Sequence, residues 1–214
     1  MGWRRIWNRW RRKARMRALL PSIHNYERME GFLSPLEASH LCFFASLLPP
    51  SAVVVEIGSW KGKSTYCLAQ GLKHGVIYAV DPFDASGSGE DSMTYEQRRG
   101  QDPLVEQFKR NLGPHIQSGQ VVPCVGPSRD FVAKFPKINL LFIDGDHSVE
   151  GCRFDFQNFA PQLAVGGYLL FHDYRRWKPE TGPTHVVQQH VMPSGQFKWV
   201  GAFDTLWVGQ KTGA

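Results

Sequence analysis

From residue 34 onward the chain alternates between apolar runs of strand length and segments of helical spacing. Residues 52–57 read AVVVEI, a β-branched run of the kind a strand buried on both faces requires, and comparable runs recur at 76–80, 121–125, 138–143 and 168–171. Between them, residues 63–73, 103–112, 149–163 and 184–191 carry helical periodicity. Ahead of the first strand, Ser34-Pro35-Leu36-Glu37 opens a helix as a capping box, with proline at the first helical position, and Pro49-Pro50 ends it. Two last runs, 198–203 and 205–208, lie so close in sequence that they must pair antiparallel. The expected fold is α/β: a doubly wound, mostly parallel seven-stranded sheet closed by a C-terminal antiparallel hairpin, with ligands at the carboxyl ends of the strands. Residues 22–31 read as a polar connector, and 84–102, polar and glycine-rich, as a loop over the ligand crevice.

Charge divides the chain differently. Of its 214 residues, the first 20 hold eight of the 25 basic ones (Arg4, Arg5, Arg9, Arg11, Arg12, Lys13, Arg15, Arg17) and no acid. The remaining 194 residues carry 17 basic against 19 acidic side chains, so the net +6 belongs to the tail and the body is at −2. In helical projection Trp3, Ile6, Trp7, Trp10 and Ala14 share one stripe among the arginines, which suits an anionic membrane surface, where each Arg adds about 1 kcal/mol. An arm packing on the body or on a second subunit of a homo-oligomer, a nucleic-acid arm and a transit peptide are the competing readings. No apolar run approaches the ~18 residues of a membrane span, and position 6 is Ile6 where myristoylation asks for Ser or Thr. The expected organisation is a basic helix at 1–20, a connector at 21–33 and one domain at 34–214, in a cytoplasmic protein peripheral to a membrane. Cys42, Cys67, Cys124 and Cys152 are scattered without a C-x-x-C pair and read as buried thiols of a reducing compartment.

The chemistry begins at the turn after the first strand, Glu56-Ile57-Gly58-Ser59-Trp60-Lys61-Gly62-Lys63-Ser64-Thr65. Its end resembles a phosphate-binding P-loop, but only three residues separate Gly58 from Gly62 where that loop needs four. The dinucleotide pattern G-x-G-x-x-G fails at Trp60, where the backbone would have to approach a pyrophosphate. An acidic residue followed by G-x-x-x-G suits a ligand with an ammonium group. Asp81, ending the second strand 23 residues beyond Gly58, is placed to accept from both hydroxyls of a ribose. A ligand with an amino-acid end, a ribose and no phosphate is S-adenosyl-L-methionine.

These motifs, E-I-G-S-W-x-G-x-S-T, V-D-P-F and L-F-I-D-G-D-H, resemble those of the class I S-adenosylmethionine-dependent methyltransferases over about residues 34–210. Within that class the chain is most similar to the branch of catechol and caffeoyl-CoA O-methyltransferases, macrolide-sugar O-methyltransferases and cephalosporin-hydroxylase-like proteins. The resemblance implies the Rossmann-like methyltransferase fold. It also implies that Glu56, Gly58, Ser59, Trp60 and Gly62 contact the methionine moiety, Ser64 its carboxylate and Asp81 the ribose, with Ser128 near the adenine and Asp144 bordering the cofactor.

Asp144 ends the fourth strand with His147 three residues on, and Asp173 ends the fifth with His172 beside it. Two carboxylates facing a wet crevice suit magnesium or a similar divalent ion, and a neutral imidazole can take a hydroxyl proton near neutral pH. By the resemblance, Asp144 is the first metal ligand and His147 the general base. The expected metal set is Asp144, His172 and Asp173; it departs from the family's acid pair or Asp-Asn pair at one position, which leaves metal dependence open. Residues 174–183 and the 84–102 loop border the crevice, with Arg175, Arg176 and Lys178 as candidate contacts to an acidic acceptor and Trp177 as a candidate sugar platform. Together with the tail this points to a hydroxyl of a sugar, glycan, glycolipid or other small molecule, and the −2 body argues against nucleic acid. The alternatives are a P-loop-like NTPase, which the glycine spacing disfavours, an oxygenase-like role, and a non-catalytic module whose basic tail binds membrane or nucleic acid.

Overall fold

The computed structural model describes residues 18–86, 91–135 and 137–213. Most of the expected basic helix, residues 1–17, therefore lies outside the described residues. The sheet has seven strands: β1 (Ala52–Ile57), β2 (Gly75–Asp81), β3 (Val121–Val125), β4 (Ile138–Ile143), β5 (Leu163–Phe171), β6 (Phe197–Phe203) and β7 (Leu206–Lys211). Their spatial order is β3-β2-β1-β4-β5-β7-β6, parallel from β3 to β5, with β7 antiparallel to both β5 and β6. This is the expected architecture. Pro123 is tolerated inside β3 because that strand is an edge.

Among the described residues, six α-helices flank the sheet: α1 (Pro35–Ala45), α2 (Lys63–Gly71), α3 (Asp91–Arg98), α4 (Leu104–Gln117), α5 (Val149–Phe159) and α6 (Gly182–Val186). Alternate residues of each strand feed two cores. Val54, Ile77, Leu140 and Phe142 pack with Leu41, Phe44, Leu68 and Phe108 on one face, while Val55, Ile57, Leu141 and Ile143 pack with Phe159, Val187 and Trp207 on the other. Burial on both faces is the physical reason these strands read as unbroken apolar runs. All four cysteines are buried and unpaired with one another.

Two expected loops are instead ordered by packing. The connector forms a 3₁₀ segment, Leu20–Arg28, because Ile23 and Tyr26 bury their side chains against the domain. The segment expected as a loop at 84–102 contains α3, whose Tyr95 ring stands edge-on to Phe32 at 5.5 Å and tilted against Trp60 at 5.2 Å. Buried Lys61 ties both segments down, donating to Glu30 Oε2 at 2.7 Å and to the Arg98 carbonyl at 2.6 Å. Among the described residues no helix is long and apolar enough to cross a membrane.

Candidate active site

A cavity of about 1180 Å³ opens at the carboxyl ends of β1, β2, β4 and β5. Its position follows from topology. The chain crosses from one face of the sheet to the other between β1 and β4, and the loops leaving those neighbouring strands diverge. Gly58, Ser59, Trp60, Ser64, Asp81, Ser128, Asp144, His147, His172 and Asp173, all expected site residues, line it. Glu56 and Gly62 do not. Gly62, at φ +88, faces helix α4, where a Cβ would stand 2.9 Å from Leu112.

Gly58 joins the loop to β4. At φ +87 a Cβ there would lie 2.0 Å from the Asp144 carbonyl oxygen, and the ladder continues past the strand ends with Asp144 N–H donating to Ile57 O at 2.8 Å. This close approach fixes Asp144 against the loop. Asp81 holds the same loop from the other side, its Oδ2 accepting the Ser59 and Trp60 amides at 2.8 Å each and its Oδ1 the Phe83 amide at 2.6 Å. Burial raises the Asp81 pKa against the pull of these amides. Trp60, at φ 47, and Asp173, at φ 54, occupy the left-handed region that L-residues avoid, both at the cavity wall.

Glu56 lies wholly buried beneath the loop. Its Oε2 accepts from the Ser59 and Thr65 hydroxyls, while Oε1 is buried with no hydrogen-bond partner among the described residues. Burial pushes its pKa up to about 7, with the nearby Asp144 charge adding to the rise and the Ser64, Thr65 and Ser59 hydroxyls opposing it. The sequence placed this side chain at the ligand; the alternation of β1 turns it inward instead.

At the ends of β4 and β5, His147 Nε2 lies 3.6 Å from Asp144 Oδ1 and 3.7 Å from Asp173 Oδ2. His172, expected as a ligand, is buried with both ring nitrogens engaged: Nδ1 lies 3.0 Å from Asp144 Oδ1 and 3.4 Å from Asp173 Oδ2, and Nε2 lies 3.3 Å from Glu37 Oε2. Burial alone would lower its pKa, but these carboxylates raise it well above the ordinary imidazole value. Both ring nitrogens thus face carboxylates. Among the described residues, the groups whose ligand atoms lie within 4.8 Å of one another are Asp144, His147 and Asp173, which has His147 where the expected set has His172. Arg175 pairs with Asp173 Oδ1 at 2.7 Å, and His172, His147 and Arg175 hold the Asp173 carboxyl down at about 2 against its burial.

Two buried acids escaped the sequence reading. Glu37, recognised there only as the capping-box partner of Ser34, also accepts the Thr205 amide at 2.9 Å and hydroxyl at 2.7 Å through Oε1, besides meeting His172. Burial would raise its pKa, and the His172, Ser34 and Thr205 contacts outweigh that and hold it at about 2. Asp155 lies on the inward face of α5 with Cys152 and Phe159 and accepts the Ser128 hydroxyl at 2.6 Å. A lone acid in an apolar i, i+3, i+7 stripe is the signal that would have found it. Trp177, the suggested sugar platform, is 76% exposed and, like Arg176 and Lys178, stands outside the cavity wall, which Arg175 alone of that group joins.

Residues 55–174 match a protein family described as a methyltransferase domain. Uncharacterized protein R132 of Acanthamoeba polyphaga mimivirus is 28% identical over 131 residues, 60% of this chain and 55% of that protein, so the chain spans about half the length of this curated relative. The solved O-methyltransferase NovP superposes with a TM-score of 0.62 at 19% identity, covering 82% of this chain and 79% of its own. TomG of Streptomyces achromogenes, an O-methyltransferase involved in tomaymycin synthesis and solved with S-adenosylmethionine, gives 0.61 at 15% identity, covering 91% and 90%. At such identities these structures share the fold, and the family follows from the matched sequence. With the cavity and its strand-end residues in register with that match, the chain belongs to the methyltransferase-domain family.

Proposed function

We propose that the protein is an S-adenosylmethionine-dependent O-methyltransferase acting on a hydroxyl of a sugar, glycan, glycolipid or other small molecule. The observation that carries this reading is the position of His147 between Asp144 and Asp173 at the wall of one cavity that Asp81 and the Gly58 loop also line. The neighbours named O-methyltransferase, among them one solved with S-adenosylmethionine, support the donor.

The residues present fit that donor. Asp81 borders the cavity at the end of β2, as a ribose contact must, and the Asp144 carboxylate beside the Gly58 loop favours a cationic ligand. When bound, S-adenosylmethionine supplies an electrophilic methyl group on its sulfonium. His147 takes the proton of the acceptor hydroxyl at Nε2, and the carboxylates of Asp144 and Asp173 stabilise the imidazolium so formed. A divalent ion held by Asp144, His147 and Asp173 would instead lower the hydroxyl pKa, and bound at Nε2 it would take the nitrogen that the base uses. The two roles of His147 are mutually exclusive. The tail at 1–20, with its indole stripe among arginines, supports peripheral contact with an anionic surface where such an acceptor would be met.

Calorimetric titration with S-adenosylhomocysteine, with and without magnesium, tests the reading, with Asp81→Ala as control. Micromolar binding lost in the control is expected. No binding by a folded protein refutes the donor assignment, and an affinity indifferent to magnesium and to chelator refutes the ion.

A further inference from the structure

Of the lysines and arginines that line the cavity, Lys63 stands at the start of α2 and Arg129 in the turn after β3, which leaves Arg175 at the ends of β4 and β5 beside His147 and Asp173. Its guanidinium donates from Nη2 to Asp173 Oδ1 at 2.7 Å, the one hydrogen bond that the side chain makes among the described residues. A single acceptor thus engages a fork able to serve several, on a side chain 40% exposed at the cavity wall. The backbone around it is tied down. The Arg175 N–H donates to the Thr184 hydroxyl at 2.9 Å, and that hydroxyl donates back to the Arg175 carbonyl at 3.2 Å. Thr184 is wholly buried and takes a further hydrogen bond from the Thr181 hydroxyl at 2.9 Å. Tyr174, one residue earlier, donates its N–H to the Thr205 carbonyl at 2.9 Å, and Thr205 and Asp204 join the same wall. Fastening Asp173 does not account for this arrangement. That carboxylate already meets His147 and His172, and Arg175 comes after both among the groups that lower its pKa.

One carboxylate separates the base from the cation. Asp173 Oδ2 lies 3.7 Å from His147 Nε2 while Oδ1 lies 2.7 Å from Arg175 Nη2, so a small molecule can bring a hydroxyl to the imidazole and an anionic group to the guanidinium together. We propose that Arg175 reads a carboxylate or phosphate on the acceptor, close to the hydroxyl that is methylated, so that the substrate class is acidic sugars and similar hydroxy acids; this rests on the reading of His147 as the centre of methyl transfer. A planar fork pairs with either anion through parallel N–H···O bonds, which a neutral sugar of the same shape does not offer. Asp144 and Asp173 repel an anion placed at His147, so the acceptor has one favoured orientation, charge toward Arg175 and hydroxyl toward the base. Held at its backbone and oriented by Asp173, the fork gives up little freedom on binding.

The test is calorimetric titration of the full chain, first saturated with S-adenosylhomocysteine so that the cofactor's part of the cavity is filled. The probes are D-glucuronate, D-glucose 6-phosphate and D-glucose at one ionic strength. The native protein is expected to bind at least one of the anionic sugars about tenfold or more tighter than glucose, the low end of what a charge-assisted hydrogen bond is worth. The tighter of the two tells carboxylate from phosphate. In Arg175→Gln the preference falls to roughly twofold or less while S-adenosylhomocysteine binding holds. Arg175→Met decides the matter if melting curves show that Arg175→Gln does not fold, and Arg176→Gln, outside the cavity wall, keeps the native preference. No preference for either anion in the native protein, a preference that survives in a folded Arg175 variant, or one that Arg176→Gln also abolishes, overturns the assignment of Arg175. If the native protein binds no S-adenosylhomocysteine, the donor reading itself fails, and the assignment of Arg175 to an acceptor with it.

Discussion

Glu56→Gln separates the cost of burying a carboxylate beneath the glycine loop from everything else the loop does. In the folded protein burial raises the Glu56 pKa from 4.5 to about 7, so between those values the native state holds a proton that the unfolded chain has released. Stability then falls as pH rises through that window. A shift of this size is worth about 3 kcal/mol at 1.36 kcal/mol per unit, fully felt above about pH 7. In a chain of this length that corresponds to roughly 6–12 °C in melting temperature. Asp155, also raised to about 7, acts in the same sense. Glu37 and Asp173, both held near 2, contribute stability that is lost only as pH falls from the ordinary carboxylate range toward 2, below the window. Glutamine keeps an acceptor for the Ser59 and Thr65 hydroxyls and brings an amide to the unpartnered side, a penalty that does not vary with pH. Urea unfolding of both proteins at pH 5 and pH 8 should therefore show the variant gaining on the native protein by about 2.5 kcal/mol across the range. A difference that stays flat to within about 0.5 kcal/mol would refute the claim that this carboxylate is held against its preference.

Three further outcomes follow from the geometry. Gly58→Ala, which drives a Cβ to 2.0 Å from the Asp144 carbonyl at φ +87, should lower stability by roughly 3 kcal/mol or more and weaken S-adenosylhomocysteine binding; a melting point within about 2 °C of native would contradict it. Ser34→Ala removes the cap of α1 and a 2.5 Å hydrogen bond to Asp204, for about 1 kcal/mol, or roughly 2–4 °C in a thermal scan. Lys61→Met cuts the tie between Glu30 and the end of α3, and trypsin should then cleave after Arg98 and Arg99 several-fold faster than in the native protein, with native-rate cleavage counting against the tie.

What could be read from the residues was whatever the chain encodes locally. AVVVEI at 52–57 is apolar throughout because both faces of β1 are covered, and Ser34 to Glu37 caps α1 within one turn, so neither needed knowledge of the rest of the fold. The strand-end acids were legible for a related reason: parallel strands all deliver their last residues to one edge, so Asp81, Asp144 and Asp173 had to converge once the strands were known. Helix α3 was hidden because its eight residues are mostly polar; its order comes from Tyr95 docking on Phe32 and Trp60, contacts 63 and 35 residues away in sequence.

The two histidines show where local reading ends. His147 and His172 each follow a strand-end acid or stand beside one, and nothing in either neighbourhood says which will be the more enclosed. The decision is made by Glu37, 135 residues before His172, whose side chain turns from capping α1 to meet the His172 ring from behind. With Asp144 and Asp173 near its other nitrogen, His172 links Glu37 to the two carboxylates and holds them where His147 meets them. Carboxylates held in this way by a buried imidazole can orient a base without a metal. A site whose base works this way should keep its activity in chelator, and one that depends on the ion should lose it.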